Sequence, residues 1–253
     1  MKTVVAPMHL TVLICALILT TCHSVEIPSF LKKCDRKNDK FDKCLAAAIE
    51  DALARSTNPV KEIALARLEP LEIPLLVFEK GSGAVAFEQN YQNLKVSGFS
   101  RANCSKAEMN FDTNTLTIDC GADLARLDYN YEVNGKLLLL PIVGKGPGFI
   151  EMHNLSLHLT FSLEEYEKNG KTHYKVVDNK LILMPQLMKF RMDNLFDGDK
   201  ILGDNINQVL NDNWSEVFAE VKPNYEEAFG KIFTAIFENV LKKVSKTELF
   251  GNP

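Results

Sequence analysis

The sequence predicts an α+β fold in which a highly curved antiparallel sheet wraps a long C-terminal helix. Three observations carry this. Apolar residues alternate with a period of two from about residue 68 to Val177, the mark of half-buried strands. From Ile206 to Val244 the period becomes helical. No second apolar helical stripe of comparable length exists to cover that helix, so a sheet must do it.

The chain has 253 residues, 46% of them hydrophobic and 25% charged, with a net charge of -4. This composition is globular rather than disordered or fibrous. Nucleic acid is an unsuitable partner, because the charge balance is mildly acidic and no block of Lys and Arg is present to neutralise phosphates. Lys2, the apolar run Leu10 to Leu19 and the small residues Thr20, Thr21 and Ser24 have the order of a secretory signal peptide. The run is too short to span a bilayer. Cleavage after Ser24 removes residues 1–24 and leaves residues 25–253 as a single secreted domain, expected to be monomeric and without stable membrane insertion.

Four cysteines remain after cleavage, an even number suited to an oxidising compartment. Cys34 and Cys44 close a short loop, and Cys104 and Cys120 straddle an expected turn at Asp112-Thr113-Asn114, so these pairs are the expected disulfides. A zinc site is disfavoured by the C-x9-C and C-x15-C spacings. Asn103 and Asn154 are expected glycosylation acceptors; a third sequon at Asn213 falls in a helical pattern.

After the first cysteine pair, Leu45 to Ala54 is rich in helix formers and stops before Asn58-Pro59. Strands follow around Leu71 to Leu75, Val85 to Phe87, Leu94 to Val96, Leu116 to Ile118 and Leu127 to Val133. Asn134-Gly135 predicts a hairpin turn, with Leu137 to Val143 returning. A further strand, Leu155 to Leu163, turns at Asn169-Gly170 into His173 to Val177. Pro74, Pro141 and Pro185 place their segments at edges or bends. The C-terminal stripe predicts two helices, or one kinked at Pro223, about 60 Å long if continuous from Asp204 to Lys243.

Catalytic constellations fail inspection. Lys80-Gly-Ser-Gly-Ala only approaches a nucleophile elbow, and no H-E-x-x-H occurs. Gly144-Lys-Gly-Pro-Gly148 lacks the G-K-[ST] ending of a phosphate loop. His153 and His158, five apart on a strand, are expected to face opposite sides and so not to share a metal. The expectation is a protein that is not an enzyme, with no catalytic residue, metal or cofactor. The chain is rich in Phe, with 15 of them, and Met184, Met188 and Met192 recur at intervals of four. Such residues suit either an adaptable apolar cavity or a packed core.

Three stretches carry a family resemblance. The segment from Leu195-Phe-Asp-Gly-Asp-Lys through Leu210-Asn-Asp-Asn-Trp-Ser-Glu-Val to Lys222-Pro-Asn-Tyr-Glu-Glu-Ala-Phe resembles the C-terminal signature of the insect takeout and juvenile-hormone-binding protein family. Tyr129-Asn-Tyr-Glu-Val-Asn-Gly-Lys-Leu to Pro141, Leu68-Glu-Pro-Leu-Glu-Ile and the Cys34/Cys44 pair resemble its other markers. The resemblance implies an elongated hydrophobic tunnel between helix and sheet. It also implies secretion into haemolymph or chemosensory fluid, a takeout-like member, and a link to circadian or feeding regulation. Cys34–Cys44 corresponds to the family's N-terminal disulfide. On this reading the protein carries a hydrophobic small molecule, a juvenile hormone-like terpenoid or a fatty-acid-derived lipid. Tyr91, Tyr129 and Tyr131 are candidates to hydrogen-bond its polar end, and Phe87, Trp214, Phe229, Phe233 and Phe237 are candidate wall residues. The competing reading is a secreted interaction module with a packed interior whose apolar helix face docks a receptor.

Overall fold

The computed structural model describes residues 27–79, 83 and 85–252. The expected signal peptide and most of the Lys80-Gly-Ser-Gly-Ala segment lie outside the described residues. Helix α1 (Phe41–Ala54) precedes eight strands, β1 (Leu71–Phe78), β2 (Val85–Ala86), β3 (Gln89–Ser97), β4 (Asn103–Asn110), β5 (Thr115–Leu137), β6 (Leu140–Lys168), β7 (Lys171–Met184) and β8 (Leu187–Met192). Helices α2 (Lys200–Asp212), α3 (Trp214–Leu241) and α4 (Lys246–Phe250) close the chain.

The spine of the sheet is the β5–β6 hairpin, with strands of 23 and 29 residues paired from Leu137↔Leu140 to Thr115↔Ser162. At about 3.3 Å per residue these ribbons are about 75 and 95 Å long, and strands of that length coil with the natural twist of β structure. Short strands tile both edges. β2, β3 and β4 pair with successive parts of β5, β7 and β8 with successive parts of β6, and β1 pairs with β3. Every ladder is antiparallel, and the open sheet curls about α3.

The two segments Leu116 to Ile118 and Leu127 to Val133, separate in the sequence reading, belong to one strand whose pleat reverses. Leu116 and Cys120 face inward at even positions, whereas Ala125, Leu127, Tyr129, Tyr131 and Val133 face inward at odd ones. On β6, Ile150 and Met152 face inward before the break, and Leu155, Leu159 and Phe161 after it. The reversal is concerted: Asp123 and Asn154 are skipped in the pairing, Asn154 has φ 46°, and the register on either side is the same. Without it, Arg126, Asp128, Asn130 and Glu132 would point into the core, because a shift of one residue exchanges the faces of a strand. One consequence corrects the expectation for the histidines. His153 and His158 lie on opposite sides of the break and both stand on the outer face, where His153 meets Glu151 at 3.2 Å and His158 meets Asp119.

The β5–β6 turn is also displaced from its expected position. Asn134 and Gly135 pair with Val143 and Ile142 inside the ladder, and the turn falls at Leu138-Leu139, with φ 48° and 72°. Gly135 answers a different need: a Cβ there would stand 2.5 Å from the Ala86 carbonyl oxygen and 2.6 Å from the Phe87 Cβ. Asn169-Gly170 does form its turn, with φ 52° and 71°. Placing leucine in the left-handed region costs about 1–2 kcal/mol per residue.

The helix break lies at Asn213, not Pro223. Asn213 leaves helical geometry (φ -113°, ψ 25°), and its side-chain amide donates to the Val209 carbonyl at 2.8 Å. Pro223 sits inside α3. It and Ala219, whose carbonyl loses its amide partner, are both exposed, so the missing hydrogen bond falls on the solvent side of the helix. The 28 residues of α3 span about 42 Å. Gly230 lets the helix approach β7, since a Cβ there would stand 2.3 Å from the Asn179 side-chain oxygen.

Helix α2 covers the free edge of β8 through two asparagines one turn apart. The Asn207 side chain accepts from the Met192 N–H (2.8 Å) and donates to the Met192 carbonyl (2.9 Å). Asn211 does the same for Phe190, at 2.9 Å in both directions. Each amide thus stands in for a residue of a neighbouring strand, which removes an unpaired edge. Asn207→Ala leaves the Met192 amide and carbonyl buried without partners. It is expected to lower the unfolding free energy by about 2–4 kcal/mol in urea denaturation followed by circular dichroism.

Candidate functional site

Two interior chambers lie along α3, on either side of the pleat reversal. The larger has a volume of about 300 Å³ and is walled by five sets of side chains. Helix α1 contributes Leu45, Ala48, Ile49, Ala52 and Leu53; α3 contributes Phe233, Ile236, Phe237 and Val240. The sheet contributes Leu116, Ile118, Leu157, Leu159 and Phe161, and the chain ends add Ile27, Leu31, Leu249 and Phe250. The remaining wall, from residues 63 to 68 and 99 to 102, is apolar as well. Among the described residues Lys32 is the one charged residue on this wall, and it is exposed.

Local chemistry explains how α1 comes to face this space. The Cys34–Cys44 bond ties the segment before α1 to its first turn, and Cys104 is bonded to Cys120 directly across β4 and β5. The Glu50 carboxylate of α1 accepts the Cys104 N–H, which docks the helix on β4. Both Cys34 and Cys120 belong to the chamber wall. At the far end, α4 starts with a capping box between Ser245 and Glu248. It sets Phe250 edge-on against Phe41, Phe111 and Tyr174.

The smaller chamber, about 40 Å³, is more polar. Val85, Phe87, Val133, Leu137, Phe190 and Met192 belong to its apolar wall, and Gln89, Asn90, Tyr91, Tyr129, Tyr131 and Tyr225 to its polar one, with the exposed carboxylates Glu88 and Glu132. The hydroxyls of Tyr91 and Tyr225 are 2.6 Å apart, and both reach the Gln89 side-chain oxygen, at 2.9 and 3.3 Å. Tyr131 donates to the Asp193 carbonyl. The Tyr129 hydroxyl has no hydrogen bond to a described residue, and the side-chain oxygen of Asn90 is buried without a partner among them. Gly148 makes room for the Tyr129 ring, since a Cβ there would stand 2.8 Å from it.

The candidate residues therefore divide. Phe233 and Phe237 line the large chamber, and Phe87, Tyr91, Tyr129 and Tyr131 the small one. Phe229 is buried between them, its ring 6.3 Å from Tyr225 and 6.2 Å from Phe233. Trp214 packs against the core at the start of α3 and lines neither chamber. Asn103 and Asn154 are both exposed. The wall that sequence reasoning missed is α1, whose Leu45, Ile49, Ala52 and Leu53 recur at helical spacing but carry no sign of which distant surface they face. Tyr225 and Gln89 were missed as well, since nothing local joins residues 136 apart.

A family model described as haemolymph juvenile hormone binding protein matches residues 12–251. The chain is 28% identical over 231 residues to the circadian clock-controlled protein daywake of Drosophila melanogaster, and to that of Drosophila yakuba. Each alignment covers 88% of both chains. The crystal structure of Epiphyas postvittana Takeout 1 superposes with a TM-score of 0.77 at 24% identity, covering 88% of this chain and all of that one, which establishes the likeness of fold.

The tyrosine cluster sets an alkaline limit on the fold. Burial raises the pKa of Tyr91, Tyr129 and Tyr225, and it pushes Tyr131 up to about 12. An unfolded tyrosine ionises near about pH 10. The stability these groups contribute is therefore complete below pH 10 and lost as pH rises through their folded values. Alkaline titration is expected to show tyrosinate absorbance rising together with loss of near-ultraviolet circular dichroism above about pH 10. Ionisation of all tyrosines with the fold intact would contradict the buried cluster.

Proposed function

The chain belongs to the haemolymph juvenile hormone binding protein family, and we propose that it is a secreted, non-enzymatic carrier of a small hydrophobic molecule. The observation that carries this reading is the chamber of about 300 Å³ whose wall, among the described residues, is apolar apart from Lys32. A ligand with a chain of about a dozen carbons gains about 0.8 kcal/mol per methylene there, or about 10 kcal/mol in all. That is enough to offset much of the association cost of about 4–15 kcal/mol. A terpenoid or a fatty-acid-derived lipid has the required shape and polarity.

In this reading the apolar body occupies the large chamber and the small one takes a polar end. The Tyr129 hydroxyl and the Asn90 side-chain oxygen are the groups to meet it, because the hydroxyls of Tyr91, Tyr131 and Tyr225 are already engaged. A ligand reaching both chambers must displace Phe229, which stands between them, and the two then become one tunnel. The residues 25–253 act as one secreted monomeric domain, supported by the signal-like run before residue 24 and by two disulfides. Asn103 and Asn154 are the glycan sites. A link to circadian or feeding regulation draws on the likeness to daywake, which is named as clock-controlled. A transcript time course that stays flat through the day would remove the circadian part.

Native mass spectrometry of protein secreted from insect cells tests the main reading. The expected result is a chain beginning at Val25, with glycan on Asn103 or Asn154 and a stoichiometric organic ligand released on denaturation. A fluorescent fatty-acid probe should bind saturably and be displaced by terpenoids. Ala52→Phe, which fills the large chamber, should weaken the probe about tenfold or more with little change in melting temperature. A folded protein that binds neither probe nor terpenoid would point to the interaction module with a packed interior.

A further inference from the structure

The β5–β6 turn spends conformational strain on residues that are not buried. Leu138 and Leu139 occupy the pair of left-handed positions that Asn-Gly ordinarily fills, as Asn169-Gly170 does at the next turn of this chain. Leu138 packs in part against the core, but the strain at Leu139 is not offset by packing, since that side chain is 87% exposed; Leu140 and Val143 beside it are 42% and 46% exposed. Strained backbone that persists without local compensation is a pointer to function.

The first turn of α2 stands at the same end. Leu195 fixes it there: a Cβ on Gly144 of the hairpin stem would stand 2.8 Å from the Leu195 Cα, and one on Gly203 of α2 would stand 3.6 Å from the Leu195 Cβ. This turn presents Ile201, 75% exposed, and Leu202, 48% exposed. Exposed Lys136, Lys145 and Lys200 border the two apolar tips, and none forms an ion pair with a described residue. The carboxylates nearby are Glu88, two residues past the Ala86 partner of Lys136; Glu132, opposite Lys145 in the ladder; Asp193 and Asp204, both paired with Arg191; Asp197; and Asp199, which caps α2 at the Leu202 N–H.

We propose that this end of the molecule docks peripherally on a phospholipid bilayer, with Leu139, Leu140 and Ile201 entering the boundary between headgroups and acyl chains. The lysines then meet headgroup phosphates while their stems lie along apolar surface, the arrangement of interfacial anchors. The anchor lies on the surface and spans nothing; no helix among the described residues is long and apolar enough to cross a membrane. A second copy of the chain is the competing occupant, and sedimentation velocity distinguishes it. The small chamber is at this same end, since Leu137, next to the turn, belongs to its wall.

Co-sedimentation of the mature chain with phosphatidylcholine vesicles, with and without phosphatidylserine, tests the proposal. Wild type is expected to bind both, more strongly when phosphatidylserine is present and less so as salt rises. Changing Leu138→Asn together with Leu139→Gly should leave the chain folded, the relaxed turn offsetting the packing lost at Leu138, yet lower vesicle binding by about tenfold. Lys136→Glu with Lys145→Glu should remove the preference for phosphatidylserine. Ala52→Phe should bind vesicles like wild type, which separates this surface from whatever the chambers hold. The proposal is overturned if wild type binds neither vesicle, or if the Asn-Gly variant binds as well as wild type. It is also overturned if sedimentation velocity shows a dimer that this variant dissociates.

Discussion

The constraint on which the rest depends is the length of α3. Its apolar stripe runs through 28 residues, whereas α1 has 14 and α2 has 13, so neither can cover it. Sheet must do so, and only strands longer than the helix can curl along it from end to end. The β5–β6 hairpin meets this need, and the short strands are fitted to its edges in pieces. Edges that remain are closed by other means, most plainly where the amides of Asn207 and Asn211 complete the β8 ladder.

A hairpin of that length cannot keep one pleat phase, because the chain must place different chemistry along it. In β5 the charged residues Arg126, Asp128 and Glu132 occupy even positions, as the inward Leu116 and Cys120 do. The paired irregularity at Asp123 and Asn154 resolves the conflict by reversing both strands together, so the ladder between them is preserved. It also divides the interior. On one side the sheet offers aliphatic and phenylalanine side chains to α1 and the C-terminal part of α3. On the other it offers Gln89 and tyrosines to Tyr225 of α3. Two chambers of different polarity are thus a direct result of one local correction in the pleat.

The class of the fold was legible because period and length survive in a single sequence: alternation over a hundred residues, then a helical stripe with no helical partner. The disulfides and the Asn169-Gly170 turn were legible for the same reason, since their partners are near in sequence. The misplaced features share a different cause. Asn134-Gly135 has the composition of a turn, but Gly135 is selected by the close approach of Ala86 and Phe87, nearly fifty residues earlier. Pro223 looks like a helix end, yet it and Ala219 stand on the exposed side of α3, where a missing hydrogen bond costs least, a fact about tertiary orientation. The pleat reversal put both histidines on the outer face, against a count of five along a regular strand. For the chambers, Phe233 and Phe237 could be read from the stripe of α3. The contribution of α1 could not, because its apolar face fits a packed core equally well.

A large apolar space inside a domain is a stability problem before it is a binding site. Apolar space closed to water costs about 24 cal/mol per Å³, so the chamber of about 300 Å³ represents at most about 7 kcal/mol. Typical domains have only about 5–15 kcal/mol in total. Two disulfides closing loops of 10 and 16 residues restrict the unfolded chain enough to contribute about 6 kcal/mol together. The two magnitudes nearly balance, and the placement is telling, for Cys34 and Cys120 both stand in the wall of the space they help to sustain. Cross-links that act through the unfolded state do not fill the native interior, whereas larger core side chains would. They are therefore a means of stabilising this fold that leaves the chamber available to a guest.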